Sequence, residues 1–172
     1  MLWKLAILIT LAMALCEAES LSFQGKRYTY SLYQPKGENL PALLHGAGGA
    51  GRDLLDVWKP FAKAHGIVLI APDLPKALTF EEIAPVFFRA VVGQVDGQDP
   101  QRIYLFGYSM GGYLAYDATM FAPDYFAAVA VYANFISPGY VSILRGTRDL
   151  LQSRGFPVHY REFAKQGHDY GR

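Results

Sequence analysis

The sequence predicts an α/β domain, a mostly parallel sheet covered by helices on both faces. Short apolar or alternating runs of strand length recur along the chain, separated by amphipathic stretches of helix length. One of these runs, "IVLIAPDLP" from Ile67, is apolar almost throughout, as expected of a strand buried on both faces of a parallel sheet. With 172 residues, 52% hydrophobic and 18% charged, the chain has room for one domain with a real core and is too apolar for disorder.

The first stretch departs from that pattern. Lys4 precedes an apolar run from Leu5 to Leu15 and then "CEAES". That is the layout of a signal peptide, too short to span a bilayer, with small residues at Cys16 and Ala18 for cleavage. The expected organisation is a signal peptide over 1–18 and the domain over 19–172, with a secreted or periplasmic destination and no membrane span once the leader is removed. Lipid anchoring at Cys16 is disfavoured by the bulky Leu15 before it. Cys16 is the single cysteine, so a domain cleaved after Ala18 has no disulfide.

The elements then follow in order. "RYTYSLYQP" (Arg27 to Pro35) alternates at period two and reads as a strand. "PALLHGAGG" reads as a buried strand running into a glycine-rich loop. Asp53 to Gly66 places Leu54, Val57, Phe61 and Ala64 at helical spacing, with a glycine stop and a kink or break expected at Pro60. "TFEEIAPVFFRAVVGQV" reads as a helix capped by Thr79, with Glu82 at the capping-box position. "RIYLFG" is a strand, "MGGYLAYDATMFA" a helix, and "FAAVAVYA" and "VSILRG" are two further strands. "LLQSRG" reads as a short helix and "PVHYREF" as a last strand.

Ligands of such sheets bind beyond the carboxyl ends of the strands. Ser109, the "HGAGG" loop, Asp149 and His168 all follow predicted strands and so share one rim. Gly107-Tyr108-Ser109-Met110-Gly111 matches G-x-S-x-G between a strand and a helix, the setting that makes the pattern informative. Small neighbours leave room for a tight turn, and the helix behind it aims its first amides at the site. A serine needs a base to take its proton. His168 in "QGHDYG" is the best placed of the 4 histidines; His65 reads as solvent-facing, His159 as a strand-edge residue and His45 as part of the glycine loop. Asp149 in "ILRGTRDLL" lies between serine and histidine in the chain, giving the order Ser, Asp, His. Asp73 in "IAPDL" is its competitor. Two amides would form an oxyanion hole, one from Met110 and one from the His45–Gly51 run, with Ala47 first and Gly48 next. That run lacks the Gly-Lys-Ser/Thr ending of a phosphate-binding loop.

A formal net charge of +1 implies no nucleic-acid surface. The motifs call for no metal or organic cofactor, and nothing in the sequence speaks to oligomeric state.

With these residues in place, the chain resembles the α/β-hydrolase superfamily. The matching stretches are "LLHGAGG", "DPQRIYLFGYSMGGYLAYDATMFAPDYFAAVAVYA", "ILRGTRD" and "VHYREFAKQGHDY". It looks most like compact secreted esterases grouped with polyhydroxybutyrate depolymerases and feruloyl or acetyl-xylan esterases, and its end also resembles dienelactone-hydrolase-like members. The resemblance implies an α/β-hydrolase fold and serine-ester hydrolysis through an acyl-enzyme, with Ser109, Asp149 and His168 at the triad positions. Its alternatives are a peptidase or thioesterase of the same fold and a non-catalytic relative. Two departures stand out: few residues follow His168 where the family adds a final helix, so either the sequence is truncated there or one sheet face is left partly bare and exposes apolar surface, and Ala133 to Tyr140 leaves no room for a lid, predicting an open site for small or extended soluble esters.

Overall fold

The computed structural model describes residues 18–35, 40–44, 50–74, 85–132 and 138–163. Its centre is a six-stranded sheet in the order β1-β2-β4-β3-β5-β6. The strands are β1 (Ala18–Phe23), β2 (Lys26–Tyr33), β3 (Leu40–Leu44), β4 (Leu69–Pro72), β5 (Ile103–Tyr108) and β6 (Ala128–Tyr132). β1 and β2 form an antiparallel pair and β2 runs antiparallel to β4, while β4, β3, β5 and β6 are mutually parallel. The mostly parallel α/β expectation therefore holds. β1 is an addition to it: six residues of modest alternation, next to the apolar leader-like run, gave no separate strand signal.

Four α-helices are described: α1 (Gly51–His65), α2 (Pro85–Val92), α3 (Met110–Phe121) and α4 (Pro138–Ser153). α1 packs on one face, burying Leu54, Leu55 and Ala62 against Leu69 and Ala71 of β4. The face it buries is rotated from the expected stripe, because Val57 and Phe61 are half exposed and Leu55 replaces them. Pro60 lies inside this one continuous helix and does not break it. α2 and α3 pack on the other face, where Phe87, Phe88, Val91, Leu114, Ala115 and Ala118 join Ile103, Leu105 and Ile70 in the larger core. The Thr79 cap and its Glu82 partner lie outside the described residues.

The largest correction concerns the chain after β6. "VSILRG" is not a strand but the middle of α4. Val141, Ser142 and Ile143 carry local strand preference, yet Val141, Leu144 and Leu151, with Ile143 and Leu150, repeat at helical spacing over a longer window, and the longer period prevails. Gly155, at φ 84°, ends the helix. "PVHYREF" forms no strand and lies beside α4. Arg145 donates two hydrogen bonds of 2.6 Å to the Glu162 carboxylate, and Arg148 stacks over the Tyr160 ring at 4.8 Å. Exposed apolar side chains among the described residues include Tyr104 of β5, Tyr113, Met120 and Phe121 of α3, and Ile143 and Leu150 of α4. No helix among the described residues is long and apolar enough to cross a membrane.

Candidate functional site

β5 runs straight into α3, and the junction is one residue long. Ser109 sits there at φ 55° and ψ −120°, a backbone conformation that L-residues rarely adopt. Holding a non-glycine residue there costs of order 1–3 kcal/mol, so the surroundings must enforce it. They do so by hydrogen bonds on both sides. Ser109 donates its amide to the Tyr132 carbonyl at the end of β6 (3.0 Å), and its own carbonyl accepts the Gly112 amide (3.0 Å). Its hydroxyl makes no capping bond to the helix. Ser109, half-buried, is thus held at the carboxyl rim of the sheet with its hydroxyl not used in capping α3.

The small residues flanking the serine have a measurable reason. A methyl group built on Gly107 would lie 2.3 Å from the Gly111 carbonyl oxygen and 2.5 Å from Gly112 Cα. β5 and α3 approach so closely that no side chain fits between them, which brings the helix N-terminus directly behind the serine. The Met110 and Gly111 amides, ahead of the first bond back to Ser109, have no intrahelical acceptor by position, so they form a ready site for developing negative charge.

β3 ends at the same rim. Leu44, its last residue, pairs with Gly107 of β5. The glycine-rich run after β3 ends on α1, where Gly51 donates its amide to Asp73 Oδ1 at 2.7 Å. The second Asp73 oxygen accepts the Thr29 hydroxyl at 2.5 Å, and the Asp73 amide donates to the Thr29 carbonyl at 2.9 Å. Gly51 itself packs so tightly that an added Cβ would sit 2.2 Å from the Ala71 carbonyl oxygen. Asp73, the competing acid in the sequence, is therefore occupied in joining β2, β4 and the start of α1. Sequence reasoning missed that clasp, although an aspartate ending a strand and a glycine starting a helix were both visible.

The remaining predicted residues divide cleanly. Met110 stands where expected, at the first turn of α3. Ala47, Gly48, His45 and His168 lie outside the described residues. Asp149 does not follow a strand; it sits in the last turns of α4, with a 63% exposed carboxylate 2.6 Å from Arg148. The described structure does not bring it to Ser109, and its claim to the acid position now stands on chain order. His65 is exposed at the end of α1 with its ring against Phe61 (4.3 Å), and His159 is exposed in the segment after α4.

A row of rings lines the rim next to Ser109. Tyr108 stacks on Tyr132 at 6.4 Å and 22°, and Phe163 meets Tyr132 edge-on at 6.4 Å. The tail of the described chain is thereby held at the end of β6.

The comparisons agree with this architecture. A family model described as "Alpha/beta hydrolase family" matches residues 42–171. Among curated proteins none matches the chain. Solved structures that resemble it include a thermostable esterase (24% identity, TM-score 0.55, covering 73% of this chain and 43% of that one). A carboxyl esterase from Bacillus coagulans shares 20% identity at TM-score 0.57, covering 81% of this chain and 51% of its own. A poly(3-hydroxybutyrate) depolymerase from Bordetella parapertussis shares 22% at TM-score 0.53, covering 66% and 50%. The chain thus spans about half the length of these structures, and at such identities the likeness speaks for the fold. Strand order, the strained serine between β5 and α3, and a family match over most of the chain converge: this protein belongs to the α/β hydrolase family.

Proposed function

We propose that this chain carries out serine-dependent hydrolysis of carboxylic esters through an acyl-enzyme. The observation that carries the proposal is Ser109: a hydroxyl held at φ 55° on the carboxyl rim, ahead of a helix N-terminus, and not used in capping. A fold sustains such strain where it serves chemistry. In this reading the Ser109 oxygen bonds to the ester carbonyl carbon while His168 accepts its proton. The developing oxyanion is met by the Met110 amide and by an amide from the glycine loop, Ala47 or Gly48. The carbonyl–alkoxy bond then breaks, His168 returns the proton to the leaving alcohol, and water, activated by the same imidazole, releases the acid. Asp149 fills the orienting position on chain order, and the variants described below weigh it against Asp73.

The substrates that fit are small or extended soluble esters, in keeping with the esterase and polyester-depolymerase activities named for structurally similar proteins. Export through the 1–18 leader is part of the same proposal. Hydrolysis of p-nitrophenyl acetate tests it. Ser109→Ala is expected to lower kcat by at least about 10³-fold with the thermal transition retained. Unchanged turnover in that variant would remove the serine from its role. An ester, thioester and amide panel separates the esterase reading from a thioesterase or peptidase of the same fold.

A further inference from the structure

A row of aromatic rings leads away from Ser109 and ends on a cation. Tyr108, the residue before the serine, stacks on Tyr132 at 6.4 Å and 22°. Tyr132 also holds the Ser109 amide through its carbonyl (3.0 Å). Phe163 meets the Tyr132 ring edge-on at 6.4 Å, and the Arg161 guanidinium lies over the Phe163 ring at 4.6 Å. Three separate parts of the chain supply these groups: the end of β5, the end of β6 and the segment after α4. Phe87 and Phe88 are sealed in the core, but none of these three aromatic residues is buried, and Phe163 is 44% exposed.

Arg161 is set apart from the arginines around it. Arg145 is bound to Glu162 and Arg148 to Asp149, and Glu162 also accepts the Tyr160 hydroxyl (2.8 Å). Those pairs engage both carboxylates of the stretch from α4 to Phe163, whereas Arg161 has no ion pair among the described residues. Its charge stands beside an aromatic face, where an anion that carries a ring of its own can meet both.

We propose that the row from Tyr108 to Arg161 is the substrate-selecting wall of the site, and that the esters it selects carry an aromatic ring with a carboxylate remote from the ester bond. This deepens the hydrolase reading and rests on it. With the ester carbonyl at Ser109, the ring of such a substrate lies along Tyr132 and Phe163, offset or edge-on as aromatic pairs prefer. Its carboxylate then accepts hydrogen bonds from the Arg161 guanidinium. An aliphatic ester reaches the serine but leaves the rings and the cation unused. Exposure sets the magnitudes. Ring contacts favour the aromatic ester by about 10-fold, and an exposed, salt-screened ion pair adds no more than about 5-fold.

Three acetate esters with one shared acyl group test the proposal: 4-(acetoxymethyl)benzoate, its methyl ester and ethyl acetate. Hydrolysis of the first releases acetate and 4-(hydroxymethyl)benzoate. At low salt kcat/KM is expected to be about 5-fold higher for the anion than for its methyl ester, and the gap is expected to close at about 0.5 M NaCl. Arg161→Gln is expected to abolish the gap and Arg161→Lys to retain part of it. Phe163→Leu is expected to cost both aromatic esters about 10-fold relative to ethyl acetate. Equal kcat/KM for anion and methyl ester in the wild type, or a gap that persists in Arg161→Gln, would overturn the role of Arg161. An equal loss on all three esters in Phe163→Leu would overturn the role of the rings. Binding of 4-(hydroxymethyl)benzoate, followed by ligand-observed NMR on the full chain and on Arg161→Gln, needs no turnover. Binding that weakens in Arg161→Gln, in a protein that cleaves none of the esters, would uphold the wall and refute the hydrolase reading. Cleavage of all three without selectivity would do the reverse.

Discussion

Replacing Gly107 by alanine isolates the contact on which the site is built. The new methyl would lie 2.3 Å from the Gly111 carbonyl oxygen, while ordinary contact begins at 3.4 Å, so strand and helix must separate by roughly 1 Å. Neither neighbour is a flexible side-chain tip: both are α3 backbone, and retreat means lifting the helix from β5. Forced overpacking of this kind costs about 1–3 kcal/mol. For a chain of this size that lowers the melting temperature by about 2–4 °C per kcal/mol. The functional cost is larger, because the same displacement moves Ser109 against its amide donors, and a 1 Å misplacement of reacting groups costs about 10²-fold in rate. Melting followed by circular dichroism, paired with p-nitrophenyl acetate turnover, reads both effects. Gly107→Ala is expected to melt several degrees lower and, well below its transition, to turn over about 10²-fold more slowly. Wild-type melting and turnover would show that the close approach of β5 and α3 has no role in presenting the serine.

Three further outcomes are expected. Asp73→Ala leaves the half-buried Gly51 amide without its acceptor and costs about 1–3 kcal/mol, whereas Asp73→Asn keeps an oxygen for that amide and retains most activity; a collapse of kcat in Asp73→Asn with stability intact would make Asp73 the acid. Asp149→Asn is expected to lower kcat by about 10²–10⁴-fold through loss of the oriented imidazole, and unchanged kcat would remove Asp149 from the triad. Burial first, then the hydroxyl's 2.7 Å bond to Glu19, pushes the Tyr30 phenol up to about 12 from its ordinary 10.0. Below pH 10 both folded and unfolded chains hold that proton; between 10 and 12 the unfolded chain loses it and the folded chain does not, so stability falls with rising pH across that window. Tyr30→Phe should flatten the fall, and an unchanged alkaline melting profile would contradict it.

The parts of the fold that were legible in the sequence are those where local pattern and tertiary context agree. β4 is apolar because it is buried on both faces, and Ser109 with its glycines is recognisable because the steric demand of the β5–α3 junction is written as small residues. Where the two disagree, the reading failed. Val141 to Ile143 carry strand-like side chains inside a helical period, and the short motif was read in place of the longer one. The buried face of α1 was displaced because Val57 and Phe61 fit a helical stripe that the sheet does not cover. The Asp73 clasp was invisible for a different reason: its partners, Thr29 and Gly51, are 44 and 22 residues away, and nothing local marks such a bond. The strand expected before Asp149 was misread through the same error as α4, since that stretch is a helix, so the placing of Asp149 now rests on chain order.

The central claim is that Ser109 is an activated nucleophile, and covalent capture tests it most directly. Treated with a fluorophosphonate at neutral pH, the full chain is expected to gain one adduct by intact mass, mapped by peptide sequencing to the Tyr108–Met110 turn and absent in Ser109→Ala. An unmodified protein, or an adduct on any other residue, would contradict the account.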